Sequence, residues 1–128
     1  MVDEALSRMS LTEISEALVK REVSSQEVVR NSLEELEKRG PSLNCVARLF
    51  PEQALAEAES ADQKLSSGIS QGPLHGVPLL HKDMFYRTGK ISACGSKICE
   101  DYVPDKTATA LLKLDQAGAL DIGRLKMV

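Results

Sequence analysis

The stretch Gly72-Pro73-Leu74-His75-Gly76-Val77-Pro78-Leu79-Leu80-His81-Lys82-Asp83 constrains this chain more than any other. It opens on turn-forming residues and then runs through an apolar segment too short for a helix. That pattern predicts a buried strand, and the strand ends on a lysine. A lysine there is costly unless it is used.

A second pattern lies downstream. Asp105 is placed to cap a helix over about residues 106–117, with Leu111, Leu112, Leu114 and Ala117 facing inward and Gly118 ending it. Ala119-Leu120-Asp121-Ile122-Gly123 then reads as a strand. Strand, helix, strand is a crossover unit, so a parallel pair in an α/β sheet is expected.

The region before residue 68 reads as helical. Ser10-Leu11-Thr12-Glu13 and Ser24-Ser25-Gln26-Glu27 both have the form of a capping box. The first predicts a helix over 11–20, carrying Leu11, Ile14 and Leu18. The second predicts a helix with Val29, Leu33 and Leu36 on one face, stopped at Gly40-Pro41. Residues 43–50 form a short apolar run, either strand or connector, interrupted by Asn44 and Arg48. Pro51 suits the first turn of a third helix, whose narrow face is Ala54, Leu55, Ala58, Ala61 and Leu65. Small residues there permit close packing, while Glu57, Glu59 and Lys64 form its solvated side. The expected organisation is a helical region over 1–67, a Ser/Gly-rich connector over 68–73 and the start of a core over 74–128, all within one domain.

Composition excludes several classes. With 128 residues, a net charge of −3, two Phe, two Tyr and no Trp, the chain offers neither a basic stripe nor a stacking surface for nucleic acid. No apolar run approaches the ~20 residues of a membrane span. The acidic start, Met1-Val2-Asp3-Glu4, is unlike a signal peptide, so the cytoplasm is expected. Three cysteines, Cys45, Cys94 and Cys99, read as reduced thiols. Cys94 and Cys99 with His75 and His81 fit no compact zinc spacing. No metal and no cofactor are expected.

Two roles are open to Lys82. It can snorkel to water while Asp83 caps a turn. Alternatively, desolvation by Val77, Leu79, Leu80 and Phe85 would favour its neutral form and make it a general base. The second role requires Asp83 to point away, into backbone N–H groups of the following loop, because a carboxylate beside the ammonium would hold its proton. His75 and His81 read as satisfied polar residues. Asp121, a carboxylate in an apolar strand, reads as structural and bonded to a polar group outside this chain. Nothing here supplies a nucleophile, base and oxyanion site together.

These residues also carry a resemblance. Gly72-Pro73-Leu74-His75-Gly76-Val77-Pro78 followed by Lys82-Asp83 resembles the start of the catalytic region of the amidase signature family. Cys94-Gly95-Ser96, then Asp101-Tyr102-Val103-Pro104-Asp105-Lys106-Thr107-Ala108-Thr109, then Gln116-Ala117-Gly118-Ala119 and Gly123-Arg124-Leu125 are similar to that family in the same order. Glu22-Val23-Ser24-Ser25 and Leu43-Asn44 match it too, so the likeness covers essentially the whole chain. One departure is Lys126, where the family usually has an asparagine.

The resemblance implies an α/β fold: the N-terminal portion of a mixed β-sheet flanked by helices. It also implies hydrolysis of carboxylic amides by a Ser-cisSer-Lys triad, with Lys82 in the lysine position and a small-molecule amide as substrate. Both serines of that triad belong to a Ser/Gly-rich signature with no equivalent in residues 1–128. The chain, ending on Arg124-Leu125-Lys126-Met127-Val128 directly after a strand, is therefore expected to be part of a larger domain, inactive alone, and able to self-associate through an exposed sheet edge. A frameshift, an early stop or a pseudogene would fit this ending. Two other identities stay open. One is the A subunit of a tRNA-dependent amidotransferase, which would bring tRNA and further subunits as partners. The other is a non-enzymatic truncated product or interaction module.

Overall fold

A computed structural model describes residues 1–127. The elements in chain order are α1 (Glu4–Arg8), α2 (Leu11–Val19), α3 (Ser25–Leu43), β1 (Val46–Leu49), α4 (Pro51–Ser66), β2 (Pro78–Lys82), a 3-10 turn (Lys97–Cys99), α5 (Thr109–Gln116) and β3 (Leu120–Leu125). The strands form one mixed sheet in the order β1-β3-β2. β3 runs parallel to β2 and antiparallel to β1.

Both expected capping boxes form. Ser10 and Glu13 close the start of α2, and Ser24 and Glu27 close the start of α3. Asp62 of α4 adds a second cap to α3, accepting from the backbone N–H groups of Ser25 and Gln26 at 2.6 and 3.1 Å. A carboxylate there meets both free donors and the positive end of the helix dipole.

Two helix boundaries and one whole element differ from the sequence expectation. α3 does not stop at Gly40-Pro41 but runs through both to Leu43, ending on Asn44 in the left-handed conformation (φ 50°). Pro41 forfeits only one N–H so close to the helix end, and its carbonyl still accepts from Asn44 N at 3.3 Å. Gly40 packs against Val46 of β1, where a side chain would meet Val46 Cγ2 at 3.0 Å. At the other end of the chain, α5 starts at Thr109, with Ala108 rather than Asp105 at its cap position and no side-chain cap. The residues before it bond elsewhere: Ala108 N donates to Tyr86 O at 2.8 Å, and Thr107 Oγ1 accepts from Thr88 N at 3.0 Å. On α5, Leu111 is buried as expected, but Leu112 is exposed. Finally α1, capped by the Asp3 carboxylate, was not foreshadowed by any apolar periodicity.

α3 and α4 cover one face of the sheet. Val29 and Leu33 of α3, Ala54 and Ala58 of α4, and Leu120 and Ile122 of β3 make one core cluster. The alanines let the two helices approach closely, as the narrow face of α4 predicts. A second cluster joins Leu18 of α2, Val28 of α3 and Val77, with Leu6, Ile14, Val23, Leu74 and Leu79 at its rim.

The strand expected to leave an open edge, β3, is instead the central one. The unpaired edges among the described residues are those of β1 and β2. β3 is held there by hydrogen-bonded partners on both sides, from residues 46–49 and 78–82.

The loop before β2 is nested against the turn after α5. Leu74 N donates to Ala117 O, and Gly76 N to Gly118 O, at 2.9 and 3.0 Å. Gly118 has φ 91°, and a Cβ on it would sit 2.7 Å from His75 Cα. Only glycine meets both conditions.

Candidate active site

Lys82 closes β2, opposite Leu125 of β3. Its carbonyl accepts from Phe85 N at 3.1 Å, turning the chain away from the sheet. The side chain is exposed. The expected apolar surround is thus not built by these residues. Val77 and Leu79 pack with the Leu18 cluster, Leu80 packs with the Val29 cluster, and Phe85 is itself exposed. The strand's apolar residues serve the core and leave its last residue to solvent.

Asp83 lies the other way. It is only 3% exposed. Its N–H continues the ladder to Leu125 O at 2.9 Å, and its carbonyl accepts from Cys94 N at 3.0 Å and Ser92 Oγ at 3.3 Å. Its carboxylate is met by the Arg48 guanidinium of β1, not by backbone N–H groups of the following loop. Arg48 Nη2 also donates to Ile91 O at 3.0 Å. Arg48 thus meets both the acid and the loop that follows it.

A tight turn flanks this strand end. Ala93 O accepts from Ser96 N at 2.9 Å, and the two central residues, Cys94 and Gly95, both have positive φ (52° and 69°). Such a turn reverses the chain within two residues. Met127, just past β3, packs on Gly95. Lys126 anchors instead to the residues before β1, its Nζ donating to Asn44 Oδ1 at 2.5 Å and its N–H to Cys45 O at 2.7 Å.

Behind Lys82 is a buried charge cluster. His81 sits beside Arg124 in the sheet register. Arg124 is fully buried and donates through Nη1 to Asp121 Oδ1 at 2.6 Å and to Gly123 O at 2.8 Å. The other Asp121 oxygen lies 2.7 Å from Arg87 Nε. Arg87 grips Asp115 with two further nitrogens at 2.7 and 2.9 Å. Asp121 therefore finds its partners within the chain, on Arg124 and Arg87, rather than outside it. Burial pushes the His81 imidazole below its usual 6.5, with Asp121 pulling the other way. The bidentate bond to Asp115 binds the Arg87 proton more firmly still.

His75 is buried and satisfied, as expected. Its Nδ1 accepts from Gln71 N at 3.0 Å, which leaves Nε2 to donate to Ala61 O at 2.8 Å. It ties the loop before β2 to α4. The structure brings Lys82, Asp83, the 93–96 turn and residues 124–127 to one end of the sheet. It does not bring His75 to that end. Sequence reasoning missed Arg48. The available signal was a lone arginine in an apolar run, which needs an acid if it is buried.

Among the described residues, Lys82 Nζ makes no hydrogen bond or ion pair, and no group of three His, Cys, Asp or Glu side chains is placed to hold a metal ion. No helix is long and apolar enough to cross a membrane.

Known proteins resemble this chain along nearly its whole length. A family model, Amidase, matches residues 27–128. "Putative amidase AmiD" of Mycobacterium tuberculosis is 38% identical over 125 residues, covering 98% of this chain and 26% of that protein. The A subunit of the glutamyl-tRNA(Gln) amidotransferase of Azoarcus sp. is 39% identical over 118 residues, covering 92% and 24%. Among solved structures, a fatty acid amide hydrolase superposes with a TM-score of 0.90 at 27% identity, covering 95% of this chain and 22% of that one. The peptide amidase of Stenotrophomonas maltophilia gives 0.82 at 30%, covering 93% and 25%. The chain thus spans about a quarter of the length of the relatives it matches.

Proposed function

This chain belongs to the amidase family, the amidase signature enzymes, and we propose that Lys82 is the base of an amide-hydrolysing Ser-cisSer-Lys site. Residues 1–128 form the N-terminal part of a single domain of that kind. In this reading Lys82 takes a proton from one serine, which activates the second to attack the amide carbonyl. The amine or ammonia then leaves, and water releases the acyl group. The single observation that carries the reading is the placement of Lys82. It stands uncommitted and exposed at the end of a strand whose other residues are half-buried or buried, with its neighbouring acid turned inward and neutralised by Arg48.

The nearest serines after Lys82 make no hydrogen bond to it. Ser92 Oγ donates to Asp83 O, and Ser96 Oγ accepts from Ile98 N. The 128 residues alone are therefore proposed to hydrolyse no amide. Cleavage of a simple amide by the purified chain, lost on Lys82→Ala, would overturn that. The role of Lys82 is tested by grafting residues 1–128 in place of the first quarter of an active amidase relative. Lys82→Ala in the graft should lower kcat/KM on the order of 10³–10⁶-fold, because triad members act as a unit. A graft that keeps its activity without Lys82 sinks the reading. The cytoplasm is the proposed compartment, a reading with which three free cysteines are in keeping.

The 39% identity to an amidotransferase A subunit supports a second reading, in which the same lysine serves amide transfer within a larger complex. Co-purification from the native host with other amidotransferase subunits and tRNA would favour it over a stand-alone amidase.

A further inference from the structure

The Arg48–Asp83 pair is more than the strand end requires. Backbone bonds already fix that end. Asp83 N donates to Leu125 O, and Cys94 N donates to Asp83 O, at 2.9 and 3.0 Å. Arg48 comes from β1, on the far side of the central strand from β2, so its guanidinium reaches across β3 to meet the carboxylate. It also holds the carbonyl of Ile91, which closes the loop after Lys82 against the sheet. The result is a separation of two adjacent, opposite charges. Asp83 is buried on one side and Lys82 is exposed on the other.

We propose that Arg48 is a positioning residue for Lys82: by holding the Asp83 carboxylate inside, it keeps the lysine amine free of an acidic neighbour. This rests on the reading of Lys82 as a base, since only a base needs its proton loosely held. Without Arg48, a buried carboxylate with no partner must find a cation or water. The ammonium one residue away is the nearest in sequence, and a carboxylate beside it would stabilise its protonated form.

The test reads the amine directly and needs no amidase activity, so it can fail while the reading of Lys82 stands, and the reverse. The folded chain is treated with acetic anhydride at mildly alkaline pH. The Nζ lone pair attacks a carbonyl, acetate leaves, and the nitrogen gives its extra proton to solvent. Peptide mapping then gives the rate at Lys82 relative to the exposed Lys97 and Lys113. R48M should slow Lys82 by about two- to fivefold, the size of an exposed lysine–carboxylate contact. R48K should keep most of the wild-type rate. R48M/D83N should restore it, although the ion pair is still missing. Should R48M not fold, R48Q takes its place. Unchanged Lys82 labelling in the folded variant, or slowing that D83N does not reverse, would overturn the proposal. Loss of fold in both variants would leave Arg48 a structural role alone and overturn it equally.

Discussion

Arg124 is the bulkiest of the fully buried side chains, and its charge is met three residues away by Asp121. Removing one partner of such a pair leaves a bare charge in the core. Asp121→Asn should therefore cost about 3–5 kcal/mol, read as a fall in the urea midpoint, while a paired D121L/R124M exchange should cost far less. His81 beside them gives a pH dependence of defined sign. Its folded pKa is depressed, so the unfolded chain binds the extra proton first. The stability that comes from keeping His81 neutral is present above about pH 6.5 and is lost as pH falls through the folded value. The charges facing it are Asp121, Arg124, Arg87 and Asp115. Urea midpoints measured from pH 7 down to pH 5 should drop less steeply in His81→Gln than in the parent. An equally steep drop would assign the dependence to the carboxylates. At this scale the sequence was legible for local devices. His75 as a satisfied polar residue and Pro51 as a helix start followed from the residue and its immediate neighbours. Arg124, three residues from Asp121, was a local partner that the apolar reading of the strand passed over; Arg48, 35 residues from Asp83, and Arg87, 34 from Asp121, were not legible. Nothing local marks such pairs.

Among the elements, α3 and α5 make a useful contrast. α3 has a complete capping box and a second cap from Asp62, whereas α5 begins on Ala108 with no side-chain cap. Ser24→Ala should cost about 1 kcal/mol, and Ala108→Ser should gain about 0.5–1 kcal/mol, both read from thermal or urea unfolding. A gain at Ala108 would show that the cap position is open to improvement despite the Ala108–Tyr86 bond, which a serine preserves. α2, α3, α4, the body of α5 and the parallel β2–β3 pair were readable from capping signals, turn residues and apolar periodicity, whereas α1 was not. The mistaken boundaries have one cause: a tertiary contact outweighed a local preference. Packing against Val46 carried α3 through Gly40-Pro41, and bonding to Tyr86 and Thr88 drew residues 107–108 out of α5.

At the scale of the molecule, the described residues present two open strand edges and a group of exposed apolar side chains beyond Lys82. These are Met84, Phe85, Tyr86, Tyr102 and Val103, with Tyr86 and Tyr102 in edge contact at 5.5 Å. Such edges and patches favour association. Size-exclusion chromatography should therefore show an apparent mass that rises with concentration. A monomer that stays monomeric as it is concentrated would remove that expectation. The mixed sheet was only half legible at this scale. The parallel pair was expected, but the central place of β3 was not, since no periodicity reveals which strand lies between which.

That central place has a kinetic consequence. β1 and β2 do not pair with each other; each pairs only with β3, and Val46 meets Leu125 from 79 residues away. α3 and α4 can dock as soon as both exist, but no ladder can form until the last strand has been made. Contacts of such long sequence separation slow the search for the native state. In a refolding experiment, helical signal should precede protection of the amides in all three strands, and those amides should become protected together rather than in turn.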